Sequence, residues 1–268
     1  MENKRYQILL TNDDGIMSPG LWAAAEALSE LGYVTVAAPR DQASSSGRSQ
    51  PLSSDGKIAI NRMQIGSQDW DVYAVGGTPA QVVVHSIFEI MPVRPDLVVS
   101  GINYGENLGT SVTISGTIGA TLEAASLGIP AIAASLQLTD GKDYLSYSTS
   151  VNFSTAAHFV QYFARLMLEK RMPADVDVLK IEVPFEAKPD TVWQITRQDR
   201  QRYYVPYMRE GDDGKARLDF RIEVHPEISP SDSDVTAVYV NHKVSVTPLS
   251  IDLTSRVNFD ELDNLLRK

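Results

Sequence analysis

The chain has 268 residues, of which 43% are hydrophobic and 8% aromatic. That is ordinary for a globular protein with a real core and excludes general disorder. A formal net charge of −10 argues against a partner as anionic as polymeric nucleic acid, while a small phosphorylated ligand stays compatible through backbone amides and a bound cation. The chain has no cysteine, so disulfides, thiolate zinc sites and a cysteine nucleophile are excluded, and any metal must rely on oxygen or imidazole ligands. No apolar run reaches the roughly 20 residues of a membrane span, and MENKRYQILL lacks the apolar segment of a signal peptide; a cytoplasmic protein with no membrane partner is expected.

Short β-rich apolar runs begin at Ile8, Val34, Val72, Asp96 and Ile129. Between them, Leu21 to Gly32, Thr78 to Met91 and Gly116 to Gly128 have helical composition. This alternation predicts an α/β fold with a doubly wound, mostly parallel sheet, whose ligand site lies at the carboxyl ends of the strands. A further helix is predicted from about Ser148 to Glu169 and a strand over Val178 to Val183. After Pro184 the pattern changes: polar and apolar residues alternate from Thr191 to Val224 around a GDDG turn, as in a long antiparallel hairpin arm. A polar loop from Ser229 to Asp234, a strand-like AVYVNHKVSVTPL and a terminal helix starting near Asn258 complete the chain. The expected organisation is one domain over 1–268, with 1–184 as catalytic core and 185–268 as an extension for assembly.

Three clusters follow strand ends and can converge on one rim. In LLTNDDGIMSPG a buried strand ends at Asn12, Asp13, Asp14 and Gly15. An Asp-Gly turn alone would be unremarkable in a loop, but two adjacent carboxylates repel each other unless a cation neutralises them, and their oxygens suit Mg²⁺ or Mn²⁺. The loop AAPRDQASSSGRSQPLSS is serine-rich and reads in isolation as a surface linker. In GINYGENLGTSVTISGTIG the glycines permit close backbone approach, and SerGlyThr at 115 to 117 opens a helix whose first amides can hold phosphate. The four histidines, His85, His158, His225 and His242, have no metal-binding spacing and read as structural or surface residues. Arg197, Arg200 and Arg202 read as a solvated hairpin face, with a phosphate contact as the alternative, and Tyr203 and Tyr204 as packing residues.

Taken together, LLTNDDGI, APRDQASSSGRS, GGTPAQVV, PDLVVSGINYGENLGTS, SGTIGATLEAASLGIPAIAAS and VSVTPLSIDLT resemble the motifs of the SurE family in family order, over most of the chain. The resemblance implies a metal-dependent phosphatase of the 5′-nucleotidase or acid phosphatase type. It would hydrolyse nucleoside 5′- and 3′-monophosphates, with short polyphosphate as a side substrate, and assemble as a homodimer or homotetramer. It further implies one divalent cation per subunit, Mg²⁺ or Mn²⁺ with Ca²⁺ as a substitute, on Asp13, Asp14, Ser44 and Asn103, with Asp13 and Asp14 catalytic. Asn107, Ser115, Gly116 and Thr117 would surround the substrate phosphate, with Gly77 and Thr78 nearby. The chain departs from the family pattern at Lys180 to Pro184, where AsnValAsnxPro is usual and LysIleGluValPro stands, at Ile114 in place of an aromatic residue, and at Arg40 in place of aspartate. Either water or an aspartate can be the nucleophile. Two other readings compete: a haloacid-dehalogenase-like phosphatase, weakened because Gly15 occupies the place of its general acid, and an inactive nucleotide-binding or assembly module.

Overall fold

The computed structural model describes residues 5–138, 150–211 and 214–267. Its strands are β1 (Tyr6–Thr11), β2 (Gly32–Pro39), β3 (Ile58–Ile65), β4 (Gln68–Val75), β5 (Leu97–Tyr104), β6 (Ala131–Leu136), β7 (Val178–Val183), β8 (Trp193–Ile195), β9 (Tyr204–Glu210), β10 (Ala216–Ile222) and β11 (Val244–Leu249). The helices are α1 (Pro19–Ser29), α2 (Pro79–His85), α3 (Gly116–Ser126), α4 (Ser154–Glu169) and α5 (Phe259–Leu266). Nine strands form one sheet in the order β3-β4-β2-β1-β5-β6-β7-β11-β8, while β9 and β10 pair separately. From β4 through β2, β1, β5 and β6 to β7 every pairing is parallel; β3 and β11 enter antiparallel. The mostly parallel doubly wound sheet expected from the sequence is thus present, with an added hairpin arm and terminal helix.

The central strands are buried on both faces, which explains their nearly continuous apolar character. Ile8 and Leu10 of β1, with Leu97 and Val99 of β5, pack against Leu21, Ala24 and Leu28 of α1 and Phe159, Val160 and Phe163 of α4. The alternate residues Leu9 and Val98 face Val82 and Val83 of α2 and Ile118, Ala120 and Ala124 of α3. This period-two division of one strand between two helical layers fixes the register, because a one-residue slip would exchange the two cores.

Several elements differ from the sequence reading. Helix α1 ends at Ser29, and Gly32 already opens β2. Helix α2 stops at His85 and continues as a wider π-helical turn from Ser86 to Ile90. The reading contains no strand at β3, whose edge position leaves most of its side chains exposed and masks the alternation. The long hairpin is split: β8 joins the main sheet beside β11, and only β9 and β10 form the arm. The strand-like AVYVNHKVSVTPL also divides, since Thr236 to Val240 form a π-helical turn and the strand begins at Val244. Helix α4 begins at Ser154, and the start expected near Ser148 lies outside the described residues. Among the described residues no helix is long and apolar enough to cross a membrane.

Candidate active site

Strands β1 and β5 are neighbours, while β2 lies to one side and β6 to the other. The chain therefore reverses its direction of sheet growth at the β1/β5 boundary, and the loops leaving the carboxyl ends of such strands diverge to open a crevice. Asn12, Asp13 and Asp14 leave β1 into this crevice. Asn12 fastens the turn from both sides: its amide nitrogen donates to the Gly15 carbonyl at 3.1 Å, and its amide oxygen accepts from the Gly15 N–H at 3.1 Å. Gly15 supplies the positive φ of 101° that this turn requires.

Asp13 and Asp14 are only 4% and 3% exposed. Burial raises the Asp13 carboxyl above its ordinary range; the Thr117 hydroxyl, donating to Asp13 Oδ1 at 2.5 Å, and the backbone amides of Thr117 and Gly116 oppose that shift. Burial, and next the charge of Asp13, push Asp14 well above the ordinary range, opposed by the Tyr104 N–H at 3.3 Å. Two adjacent buried carboxylates, the second pushed up further by the charge of the first, form a site in need of positive charge.

The N-terminus of α3 is brought against Asp13 by a glycine that has no substitute. A Cβ on Gly116 would lie 2.7 Å from Ser46 Oγ and 2.8 Å from Asp13 Oδ2. One turn later, a Cβ on Gly119 would lie 2.0 Å from the Gly47 carbonyl oxygen, so the serine-rich loop also rests directly on this helix. Ser115 caps α3, its hydroxyl oxygen accepting from the Ile118 N–H at 3.1 Å. The loop is fixed further by Ala43 N–H on the Asp13 carbonyl at 2.8 Å, Gly47 N–H on the Ile114 carbonyl at 2.9 Å, and an Arg48–Glu123 ion pair at 2.7 Å. It is accordingly a wall of the site and not a linker.

The resulting cavity has a volume of about 630 Å³. Asp13, Asp14, Ser44, Asn103, Asn107 and Ser115 line it, so six of the residues singled out in the sequence meet in one place. Thr117 and Gly116 stand directly behind Asp13. Gly77 and Thr78 do not line the cavity: Thr78 caps α2 through a capping box with Gln81, and its hydroxyl donates to the Ser49 carbonyl at 2.6 Å. Thr78, with the Gln81 amide donating to the Pro51 carbonyl at 2.9 Å, holds the far end of the serine-rich loop. None of the four histidines lines the cavity, nor do Arg197, Arg200 or Arg202; Arg197 instead pairs with Asp232 at 2.7 Å.

Two of the three departures from the family pattern touch this region. Ile114 lines the cavity. Lys180 and Glu182 lie behind it, fully buried, and contact Asn107. Arg40 turns away to Asp41 and Asp55, each at 3.2 Å. Sequence reasoning missed Glu106, which is 1% exposed, lines the cavity and takes the Tyr203 hydroxyl on its carboxylate. It also missed Asp219, Phe220 and Ile222, which reach the cavity from the arm, while Tyr204, read as a packing residue, packs on the Leu108 and Tyr203 cluster and lines the cavity as well. Glu106 lies within the quoted GENLG motif, whereas the reach of the arm back to the site has no local signal.

Comparison with known proteins agrees with the fold. The family described as survival protein SurE matches residues 8–205. The chain belongs to the SurE family. It is 44% identical over 262 residues to a Thermococcus gammatolerans protein named 5′-nucleotidase SurE, covering 97% of this chain and 96% of that one. It is 42% identical over 265 residues to a Methanothrix thermoacetophila protein of the same name, covering 97% and 98%. Among solved structures it resembles the SurE protein from Aquifex aeolicus, with a TM-score of 0.74, 32% identity, and coverage of 98% of this chain and 100% of that one.

The donor set suits a hard divalent cation. Carboxylates, a hydroxyl and an amide oxygen are oxygen ligands of the kind that Mg²⁺ and Mn²⁺ take, and the raised proton affinity of both aspartates marks a place where a cation would relieve repulsion. Asn103 already commits its amide nitrogen, which donates to the Gly105 carbonyl at 2.6 Å and the Tyr104 carbonyl at 3.2 Å. Its amide oxygen is therefore the atom left for a cation.

Proposed function

We propose that this SurE-family chain is a phosphomonoesterase that hydrolyses nucleoside 5′- and 3′-monophosphates with one divalent cation, Mg²⁺ or Mn²⁺, on Asp13, Asp14, Ser44 and Asn103. The observation that carries the reading is the pair of buried aspartates at the floor of a roughly 630 Å³ cavity, beside the N-terminus of α3. The names of the relatives from T. gammatolerans and M. thermoacetophila support the substrate class. When bound, such a cation supplies charge that offsets the carboxylates and polarises the phosphoryl group.

The residues of the chain do the rest by position. Asn107 and Ser115, on the cavity wall, face the substrate phosphate, with the first turn of α3 adding its N-terminal dipole behind Asp13. Phosphoryl transfer depends mainly on positioning and charge stabilisation, so fixed donors of this kind are what the reaction needs. Tyr204, Phe220 and Ile222 give the cavity an apolar and aromatic side suited to a nucleoside more than to a bare sugar phosphate. No base-specific pattern of donors is evident there, which favours broad base tolerance, and short polyphosphate fits as a side substrate. The working unit is a homodimer or homotetramer, supported by the apolar side chains that the arm and α5 leave exposed.

The test is phosphate release from AMP, GMP, CMP, ribose 5-phosphate and ATP by EDTA-stripped protein, with Mg²⁺, Mn²⁺ or Ca²⁺ restored separately. Activity should vanish on stripping and return with Mg²⁺ or Mn²⁺, with kcat/KM highest for the mononucleotides, lower for ribose 5-phosphate and lowest for ATP. Undiminished activity after stripping refutes the cation. A preference for ribose 5-phosphate over every mononucleotide refutes the nucleotidase reading and leaves a phosphatase.

A further inference from the structure

Behind the cavity lies a buried charged cluster that the reaction does not directly use. Lys180 and Glu182 on β7 and Asp234 before the Thr236 turn are all fully buried. Lys180 Nζ donates to Asp234 Oδ2 at 2.8 Å and stands 3.8 Å from Glu182 Oε1. Asp234 also accepts the N–H groups of Gly109 at 3.2 Å, Asp199 at 2.9 Å and Val235 at 2.9 Å. Three segments distant in sequence are thereby tied to one point.

The cluster converges on a single cavity residue. Asn107 gives its backbone N–H to Glu182 Oε2 at 2.8 Å, and its carbonyl accepts from Lys180 Nζ at 2.8 Å. Its side-chain amide donates to Ser135 Oγ at 3.0 Å, and the Ser135 hydroxyl donates in turn to Glu182 Oε1 at 3.3 Å. Backbone and side chain of Asn107 are thus fixed by the same carboxylate, directly and through Ser135. The amide oxygen and second amide hydrogen are left for a ligand. Buried ions are costly to desolvate, and a site needing only stability is served as well by apolar packing. What charge adds at this position is direction. Burial pushes the Glu182 carboxyl up to about 7, with Lys180 and the Asn107 N–H opposing, so the contact with Asn107 favours the ionised form.

We propose that Glu182, braced by Lys180 and Asp234, is a positioning residue that holds Asn107 in the orientation in which it meets the substrate phosphate. The inference rests on the phosphate role of Asn107 given above, so wild-type hydrolysis of AMP is the control; without it the functional reading itself fails. With that activity present, Glu182→Met keeps the volume and removes both acceptor oxygens. It should lower kcat/KM for AMP and the affinity for inorganic phosphate about tenfold, as expected for one misdirected hydrogen bond to a charged group. The Mn²⁺ concentration for half-maximal activity should stay the same. Glu182→Gln retains an acceptor for the Asn107 N–H and should recover most of the loss. In an Asn107→Ala background, Glu182→Met should cost less than about twofold, because the residue it acts through is gone. An equal cost in both backgrounds, unchanged phosphate affinity in the single variant, or a Mn²⁺ shift as large as the phosphate shift overturns the proposal. If Glu182→Met does not fold, Ser135→Ala, which deletes only the bridging hydroxyl, is carried through the same cycle with the same criteria.

Discussion

The rim of the parallel sheet and the C-terminal arm handle polarity in opposite ways. At the rim, charged groups are taken out of water: Asp13, Asp14, Glu106, Lys180, Glu182 and Asp234 are all buried. In the arm, apolar groups are left in water: Met208 and Leu218 are each 62% exposed, and Phe220 43%. Register makes this a continuous face, since Met208 pairs with Leu218, Pro206 with Phe220 and Tyr204 with Ile222. Helix α5 repeats the pattern, with Phe259, Leu265 and Leu266 exposed. Each arrangement is costly for an isolated subunit and fits the partners proposed above: a cation and a phosphate at the rim, a second copy of the chain at the arm. The contrast predicts that rim substitutions damage chemistry without changing assembly, and that substitutions at Met208 and Leu218, the part of the arm that does not line the cavity, do the reverse.

The largest effect is expected at the aspartates. Asp13→Asn and Asp14→Asn should each lower kcat at least about a hundredfold and weaken Mn²⁺ binding, because a negative ligand is lost where charge matters most. The folded state should tolerate the change, since burial already disfavours both charges and the charge of Asp13 further disfavours that of Asp14. Wild-type turnover in either purified variant would remove the basis of the cation site. Next comes Gly116→Ala, whose methyl would press on Asp13 and Ser46. An activity loss of about ten- to a hundredfold is expected from displacement of the first turn of α3, with the oligomer intact by light scattering. The arm gives the complementary result. Wild type should scatter as a dimer or tetramer, and Leu218→Glu, with Met208 opposite it, should shift that equilibrium toward monomer while kcat on AMP falls no more than a few fold. A wild-type monomer at assay concentration breaks the comparison outright.

How much of this was legible in the sequence follows the same division. The parallel core was readable because β1, β5, β6 and β7 are buried on both faces and carry dense apolar runs, and the site was readable because its residues sit at strand ends in short motifs. What escaped depends on tertiary context. Strand β3 is an edge with little burial; Trp193 to Ile195 look like part of a hairpin until β11 offers them a partner; and Thr236 to Val240 have strand composition yet form a turn that packs on Tyr203 and Leu108. Glu182 was visible only as a departure from a motif. Its meaning needed the distances to Asn107 and Ser135, 75 and 47 residues away in sequence.

The smallest effect concerns which serine of the loop serves the cation. Ser44 and Ser45 both line the cavity, whereas Ser46 Oγ is buried against Gly116 and has no hydrogen-bond partner among the described residues. Ser44 is exposed, and its hydroxyl accepts from the Gln42 amide at 3.1 Å. A neutral hydroxyl ligand contributes little charge, and water can take its place. Ser44→Ala should therefore lower kcat/KM only about three- to tenfold and raise the Mn²⁺ requirement by a similar factor, far less than either aspartate change. Ser45 adopts a left-handed φ of 60°, so Ser45→Gly relieves the backbone while deleting the hydroxyl, and near-normal activity is expected. Ser46→Ala removes a buried oxygen without a hydrogen-bond partner among the described residues and should change the Mn²⁺ requirement less than Ser44→Ala. If Ser46→Ala proves the more damaging of the two, the orphaned hydroxyl beside Asp13 is the serine ligand, and the loop presents Ser46 to the cation in place of Ser44.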